Sequence, residues 1–375
     1  MTSYPRHPTV VVGAGQAGLS VGYHLRQRDL VAGKDFLIVD AGPTAGGAWQ
    51  HRWDSLRFAD AHALADLPGM ADAGVTFEQA PRHIPASEVV RERYATYESH
   101  YDLKVTRPVD VTRVDREPSG DFLVHAVGAV DQLQAQVVIM ATGTWRTPRQ
   151  PRDPGAPDFH GIQLTTPEFG APEDFRGMRV AVVGGGASAT GFVRELTPHA
   201  DAVHWFTRRP VDYLDVAGSP AQEFGRESVR MQDEAAQAGR PLPSIVSTTG
   251  TPLTAPVRRL LDSGSLVRKP MFSRLVRDGA VLQDGTFMPL DAIVWAIGFH
   301  ADLRALAPLG IDASEGVRVR DGHAEDAPGI FLAGYGPQAS TISANRGARV
   351  IVRDAAQYLD DGAWPPTPPR KIRAT

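Results

Sequence analysis

The sequence predicts an α/β fold of two nested units with mainly parallel sheets. Three observations carry that reading. A β-branched run, Thr9 to Val12, leads straight into Gly13-Ala14-Gly15-Gln16-Ala17-Gly18. A second run, Arg179 to Val183, leads into Gly184-Gly185-Gly186-Ala187-Ser188-Ala189. The chain has 375 residues, enough for two to three domains at about 150 residues each and for a large core without staples.

In the first copy, Thr9 to Val12 has the pattern of a buried parallel strand. A helical stretch follows the glycines, with Leu19, Tyr23 and Leu25 as candidate packing residues, and Phe36 to Val39 is a second buried strand ending on Asp40. Gly13 makes the tight turn, Gly15 leaves room for a pyrophosphate, and Gly18 lets helix and strand pack closely. The helix N-terminus offers N–H groups and a positive dipole end to phosphates. Asp40, 22 residues after Gly18, is spaced to accept hydrogen bonds from a ribose. Strand, turn, helix, strand and acid together predict a Rossmann-like dinucleotide-binding unit.

In the second copy, Ala189 takes the third glycine position, a helix runs to about Leu196, and Ala202 to Thr207 is the next strand. This strand ends in Arg208-Arg209 instead of an acid. A guanidinium fork suits the 2′-phosphate of NADP, whereas an acid suits an unphosphorylated ribose. A solvated strand end is the plain alternative for the two arginines. The two cradles therefore predict two different dinucleotides, FAD on the first and NADPH on the second.

The chain resembles the flavin-containing monooxygenases, class B flavoprotein monooxygenases, and in particular their short bacterial members. The markers run in order from Val10 to about Tyr358: Gly13 to Gly18; Gly46-Gly47-Ala48-Trp49 and on to Leu56; Ala141-Thr142-Gly143-Thr144-Trp145; Gly184 to Ala189; Ala296-Ile297-Gly298-Phe299; Gly334-Tyr335-Gly336. The resemblance implies that Gly47, Ala48 and Trp49 lie along the FAD and that Ser55, Leu56 and Arg57 run towards the flavin ring. Ala141-Thr142-Gly143 and Ala296-Ile297-Gly298 would be returning strands, and Gly334, Tyr335 and Thr341 would close over the flavin. Gln16, Ala17, Ala41 and Val111 complete the expected FAD contacts, and Gly184, Gly186, Ala187, Ser188, Ala189, Arg208 and Arg209 the NADPH contacts. From residue chemistry alone, Trp49 and Trp53 also fit as core aromatics. His51 is a candidate site residue because it flanks Trp49.

The implied activity is NADPH-dependent oxygenation. NADPH reduces FAD, oxygen adds at the flavin C4a carbon, and one oxygen atom passes to a small sulfide, amine or ketone. Two departures from the family pattern stand out. Within Phe159 to Phe169, Thr165 takes the place of the fingerprint histidine, and the single asparagine, Asn345, lies far from the Gly-Ala-Trp stretch. An NADPH:acceptor reductase or NADPH oxidase, with no productive oxygen transfer, is the second reading. No catalytic acid–base residue is singled out, because the flavin carries the hard chemistry.

Composition narrows the rest. There is no cysteine, which excludes disulfides, thiolate clusters and a cysteine pair of the disulfide-reductase kind. Basic residues number 39 and acidic 43, a net charge of −4, so nucleic acid and anionic lipid are not expected partners. The sequence has no apolar run near 18 residues and no targeting signal at its start, so a cytoplasmic protein without a membrane span is expected. A homodimer is left open. Gly18 to Gly22 matches a nucleophile elbow, but Ser20 falls on a helix rather than a strand-to-helix turn. No HExxH pair is present, so no metal is expected. Gln222 to Ala238 reads as an amphipathic helix with Phe224, Val229 and Met231 as its apolar points, Arg268-Lys269 as a solvated loop, and Trp364 to Lys371 as a proline-rich tail. The expected FAD-binding domain is 1–158 with 300–375, and the NADPH-binding domain is 159–299.

Overall fold

A computed structural model describes residues 4–61, 64–214, 221–243, 251–339 and 341–361. Described side chains exclude those of 214, 221–228, 252, 341 and 342. The proline-rich tail lies outside this range, as does the side chain of Phe224.

The first half opens with Arg6–Val12 (β1), Gln16–Arg26 (α1) and Phe36–Val39 (β2). It continues through Ala86–His100 (α2), Val109–Arg116 (β3), Phe122–Gly128 (β4) and Gln132–Met140 (β5). Ile330–Leu332, β5, β1 and β2 lie side by side, all parallel. The antiparallel pair β3–β4 extends from β5, and Val319–Arg320 with His323–Ala324 extends from Ile330–Leu332. In β1, Val11 packs on one face with Leu19, Val21 and Leu25 of α1 and with Val89, Val90, Tyr94 and Tyr97 of α2. Val10 and Val12 pack on the other with Val109 and Phe122. Burial on both faces is what a valine run without polar alternation requires. The predicted α1 contacts hold: Leu19 and Leu25 are buried and Tyr23 packs beside them.

The second sheet is parallel throughout. Its strands are Ile162–Thr165 (β6), Arg179–Val183 (β7), Ala202–Thr207 (β8), Arg268–Pro270 and Ala292–Trp295. Ala187–Leu196 (α3) crosses between β7 and β8 and buries Phe192, Val193 and Leu196 against Val180 and Val182. The two sheets are joined by connectors that run together. Arg149 N–H donates to the Gly298 carbonyl at 2.9 Å, His300 N–H to Thr147 at 2.9 Å, and Asp302 N–H to Gly143 at 2.8 Å.

Two expectations in the region after β8 are corrected. The helix is present as Ala221–Gln237 (α4), but Val229 and Met231 are exposed, and Gln232, Ala235 and Ala236 are the buried ones among its described side chains. Arg268-Lys269 is not a loop: it forms an edge strand beside β8, and the Arg268 guanidinium reaches Thr207 Oγ1 at 2.7 Å. Polar residues suffice there because only one edge of the strand is paired. Among the described residues, no helix is long and apolar enough to cross a membrane.

Candidate functional site

A cavity of about 990 Å³ opens at the C-terminal ends of β1 and β5, at the upper end of the range for small-molecule sites, about 300–1,000 Å³. Its wall includes Gly13, Gly15, Gln16, Ala17, Asp40, Ala41, Gly47, Ala48, Trp49, Val111, Thr142, Gly143 and Gly334. These predicted residues, spread over more than three hundred positions, are thus brought together.

The backbone explains the glycines. Gly13 has φ +106°, and a methyl there would lie 2.4 Å from the Ala141 carbonyl oxygen. A methyl on Gly18 would lie 1.9 Å from the Gly13 carbonyl oxygen. Gly15 and Gly47 face each other so closely that a methyl on Gly47 would sit 2.6 Å from the Gly15 Cα. The slit can therefore admit a group only between bare backbones. The N-terminus of α1 has no side-chain cap and no acid in its first turn, so its free N–H groups suit a phosphate anion.

Asp40 lies on the cavity wall, but its carboxylate already works locally. Oδ2 accepts from Ala14 N–H at 2.7 Å and Oδ1 from Gly42 N–H at 2.8 Å. Arg107 stands behind at 3.7 Å, itself gripped by both oxygens of Glu98 at 2.6 and 2.7 Å. Each carboxylate oxygen keeps a further lone pair, so Asp40 is oriented by the turn it serves. Two ion pairs missing from the sequence reading, Arg146–Asp110 at 2.6 Å and Arg304–Asp302 at 2.7 Å, line the same cavity. His51 also lines it, and burial lowers its pKa.

Several expected contacts lie elsewhere. Ser55, Leu56 and Arg57 do not line the cavity. The Ser55 hydroxyl donates to Glu195 on α3, and Trp53 Nε1 donates to the same carboxylate at 2.8 Å. Trp53 is a core aromatic, 4.9 Å from Phe192 and 5.3 Å from Phe169 by ring centroid. Leu56 packs between two clusters, and Arg57 is exposed beside Pro85. Tyr335 is also buried away from the cavity, its hydroxyl accepting from Val317 N–H at 3.3 Å. The Thr341 side chain lies outside the described residues.

The second cradle repeats the first. Gly184 has φ +144°, and a methyl there would lie 2.2 Å from the Ala296 carbonyl oxygen. Its N–H donates to Phe206 at 2.9 Å, as Gly13 N–H donates to Val39 at 2.7 Å. Gly186 starts α3 without a side-chain cap, no acid follows in the first turn, and Ala189 is fully buried. Ala187 is exposed and Ser188 half-buried beside that open helix end. Arg208 and Arg209 are exposed at the end of β8, and neither guanidinium has a hydrogen-bond or ion-pair partner among the described residues. Gly298 sits on the connector, its carbonyl taken by Arg149 N–H.

The two departures resolve into local bonding. Asn345 is held in place: Oδ1 accepts from the Ser20 hydroxyl at 2.8 Å and Nδ2 donates to the Asp66 carbonyl at 2.6 Å. The Thr165 hydroxyl donates to Glu168 Oε2 at 2.6 Å, and the same oxygen accepts from Thr165 N–H at 2.7 Å. Thr165 and Glu168 line both the main cavity and a neighbouring one of about 490 Å³.

The family model described as pyridine nucleotide-disulphide oxidoreductase matches residues 10–216. A flavin-containing monooxygenase from Stenotrophomonas maltophilia superposes with a TM-score of 0.77 at 30% identity, over 94% of this chain and 99% of that one. An uncharacterised oxidoreductase, CzcO-like, from Geobacillus kaustophilus is 23% identical over 300 residues, 78% of this chain and 80% of its own. CzcO of Bacillus subtilis is 22% identical over 331 residues, 88% of this chain and 91% of its own.

Proposed function

The chain belongs to the class B flavoprotein monooxygenases, within the wider pyridine nucleotide-disulphide oxidoreductase family, and on that premise we propose an NADPH-dependent enzyme that oxygenates a small sulfide, amine or ketone. The observation that carries the coenzyme choice is the contrast between two matching cradles. The β2 end presents Asp40, and the β8 end presents two guanidiniums without a hydrogen-bond or ion-pair partner among the described residues. In this reading the domains are 1–158 with 300–375 for FAD and 159–299 for NADPH.

The glycine slit and the open N-terminus of α1 fit the FAD pyrophosphate, with Asp40 and Ala41 at the ribose and Val111 beside the adenosine. The matching turn before α3 fits the NADPH pyrophosphate, and Arg208 and Arg209 fit its 2′-phosphate. FAD, when bound, supplies hydride acceptance and oxygen activation. The protein's residues bind, orient and exclude water. The test is single-turnover mixing of the NADPH-reduced enzyme with oxygen, followed by product analysis on a sulfide, an amine and a ketone. Oxygenated product in proportion to NADPH consumed supports the reading, and stoichiometric hydrogen peroxide with every substrate refutes it.

A second reading, an NADPH oxidase or acceptor reductase, has one observation in its favour. The single asparagine bonds Ser20 and the Asp66 carbonyl and does not line the cavity, and the Thr165 hydroxyl donates its proton to Glu168. The asparagine is then not placed to steady an oxygenated flavin.

A further inference from the structure

Glu195 sits where a helix disfavours an acid. It lies in the last turn of α3, which ends at Leu196, and a carboxylate there faces the negative end of the helix dipole. Its side chain is nonetheless only 7% exposed. The groups that hold it come from the first part of the chain. Oε2 accepts from Trp53 Nε1 at 2.8 Å and from the Ser55 hydroxyl. The neighbouring Arg194 pairs with Asp60 at 3.0 Å and reaches Glu195 Oε1 at 3.4 Å. The Trp53 ring packs against Phe169 and Phe192, in the apolar cluster on the α3 face of the second sheet. The same segment, 53–60, is also bound to the first sheet's side. Phe58 is buried in the cluster that α1 and α2 share, and its N–H donates to Ile84 at 2.9 Å. The Leu56 carbonyl accepts from the N–H of Ala86, the first residue of α2, at 2.8 Å. Just before this segment, Gly47–His51 walls the large cavity. The opposite end of α3, eight residues before Glu195 and about 12 Å away along the axis, is the uncapped start of the second cradle.

We propose that Glu195 is a positioning residue for hydride transfer between the two coenzymes. It ties α3, whose start is the proposed NADPH cradle, to the segment that continues from the wall of the proposed FAD site. The inference rests on the coenzyme assignment above and adds what holds the two sites in register. In that step a hydride passes with both bonding electrons from the nicotinamide to the flavin, oxidising NADPH to NADP⁺ and reducing FAD to FADH⁻. Transfer needs donor and acceptor in near-contact, and a misplacement of about 1 Å costs up to about a hundredfold in rate. The paired connectors at 147–149 and 298–300 join the sheets along one line. A joint along one line leaves rotation about it free, and Glu195 supplies a fixed point away from that line. An ionised carboxylate suits the task, because charge-assisted hydrogen bonds from two donors converge on one of its oxygens.

The test uses the FAD-loaded full chain with Glu195→Ala, with Glu195→Gln, which still accepts from both donors, and with Ser55→Ala, which removes one of them. Stopped-flow reduction by NADPH separates the limiting rate from the apparent Kd. A readout without turnover is the long-wavelength charge-transfer absorbance on adding NADP⁺ to the dithionite-reduced enzyme, which reports stacking of nicotinamide on flavin. Glu195→Ala should lower the limiting rate about tenfold or more and weaken that band, with Kd for NADPH within about twofold. Glu195→Gln should restore most of both, and Ser55→Ala should fall between. Where Glu195→Ala folds poorly, Ser55→Ala and Trp53→Phe carry the comparison. An unchanged limiting rate and band in the folded variants, whatever their thermal midpoints, overturns the role and leaves Glu195 as a structural contact. A wild type that NADPH does not reduce overturns the coenzyme assignment itself, and the role with it, so the two failures are told apart.

Discussion

Replacing Arg208 by alanine separates the two cradles functionally. The side chain is exposed at the end of β8 and unpaired among the described residues, so its loss leaves the folded state almost untouched, within about 0.5 kcal/mol. Its proposed partner is a doubly charged phosphate. Losing one hydrogen bond to a charged group costs about 1.5–3 kcal/mol, or roughly 12-fold to 150-fold in affinity. Exposure and the adjacent Arg209 place the single variant near the lower end, about tenfold, with Arg208→Ala/Arg209→Ala several times weaker again. The assay is stopped-flow reduction of the bound flavin over a range of NADPH and of NADH concentrations. Apparent Kd for NADPH should rise and that for NADH should stay within about twofold, while thermal midpoints coincide. Equal weakening of both coenzymes, or no change in the double variant, would refute the 2′-phosphate assignment and return the arginines to a solvated strand end.

Gly18→Ala puts a methyl 1.9 Å from the Gly13 carbonyl oxygen. It should cost about 2–3 kcal/mol and strip the flavin, read as a lower thermal midpoint and reduced FAD content after purification. His323 is buried beside Phe331, and burial lowers its pKa from 6.5 to about 4. A depressed folded pKa gives stability that is complete above 6.5 and is lost as pH falls through 4. Between pH 7 and 4.5 that loss is about 2 kcal/mol. Denaturant melts of His323→Phe should show a correspondingly shallower decline, and identical slopes for both proteins would contradict it. Ser55→Ala and Glu195→Ala should be non-additive by about 1 kcal/mol in denaturant unfolding, because both remove the same hydrogen bond; strict additivity would sever that link.

What was legible in the sequence was what is local. The strands Arg179–Val183, Ala202–Thr207 and Phe36–Val39 come out as read, because an apolar run and a turn residue lie within a few positions of each other. The edge strand at Arg268 has no such run, and three residues carry no period. On α4 the apolar residues misled: small Ala235 and Ala236 fit the close packing, and the larger Val229 and Met231 remain outside. The position of Ser55 depends on a partner 140 residues away, and the Arg52 stack on Trp145 and Phe299, which sit on separate connectors. No spacing rule reaches those pairs, so the cavity wall was readable and these long-range contacts behind it were not.

The two returning motifs are a consequence of the cradles. Gly13 presses against the carbonyl of Ala141, and Gly184 against that of Ala296, in nearly the same geometry. Each glycine turn can approach so closely because β5, or Ala292–Trp295, pairs parallel with the strand that feeds it. A small residue then follows at the end of that strand. Ala141-Thr142-Gly143 and Ala296-Ile297-Gly298 are therefore the same backbone requirement met twice. With turn, helix start and returning strand shared, little in the backbone distinguishes one cradle from the other. Ligand choice is left to the strand ends, where an oriented carboxylate stands in one copy and two exposed guanidiniums stand in the other. An Arg208→Asp/Arg209→Ala chain should consequently change coenzyme preference without disturbing FAD binding, since Asp40 follows a strand of the first sheet and the two arginines follow a strand of the second.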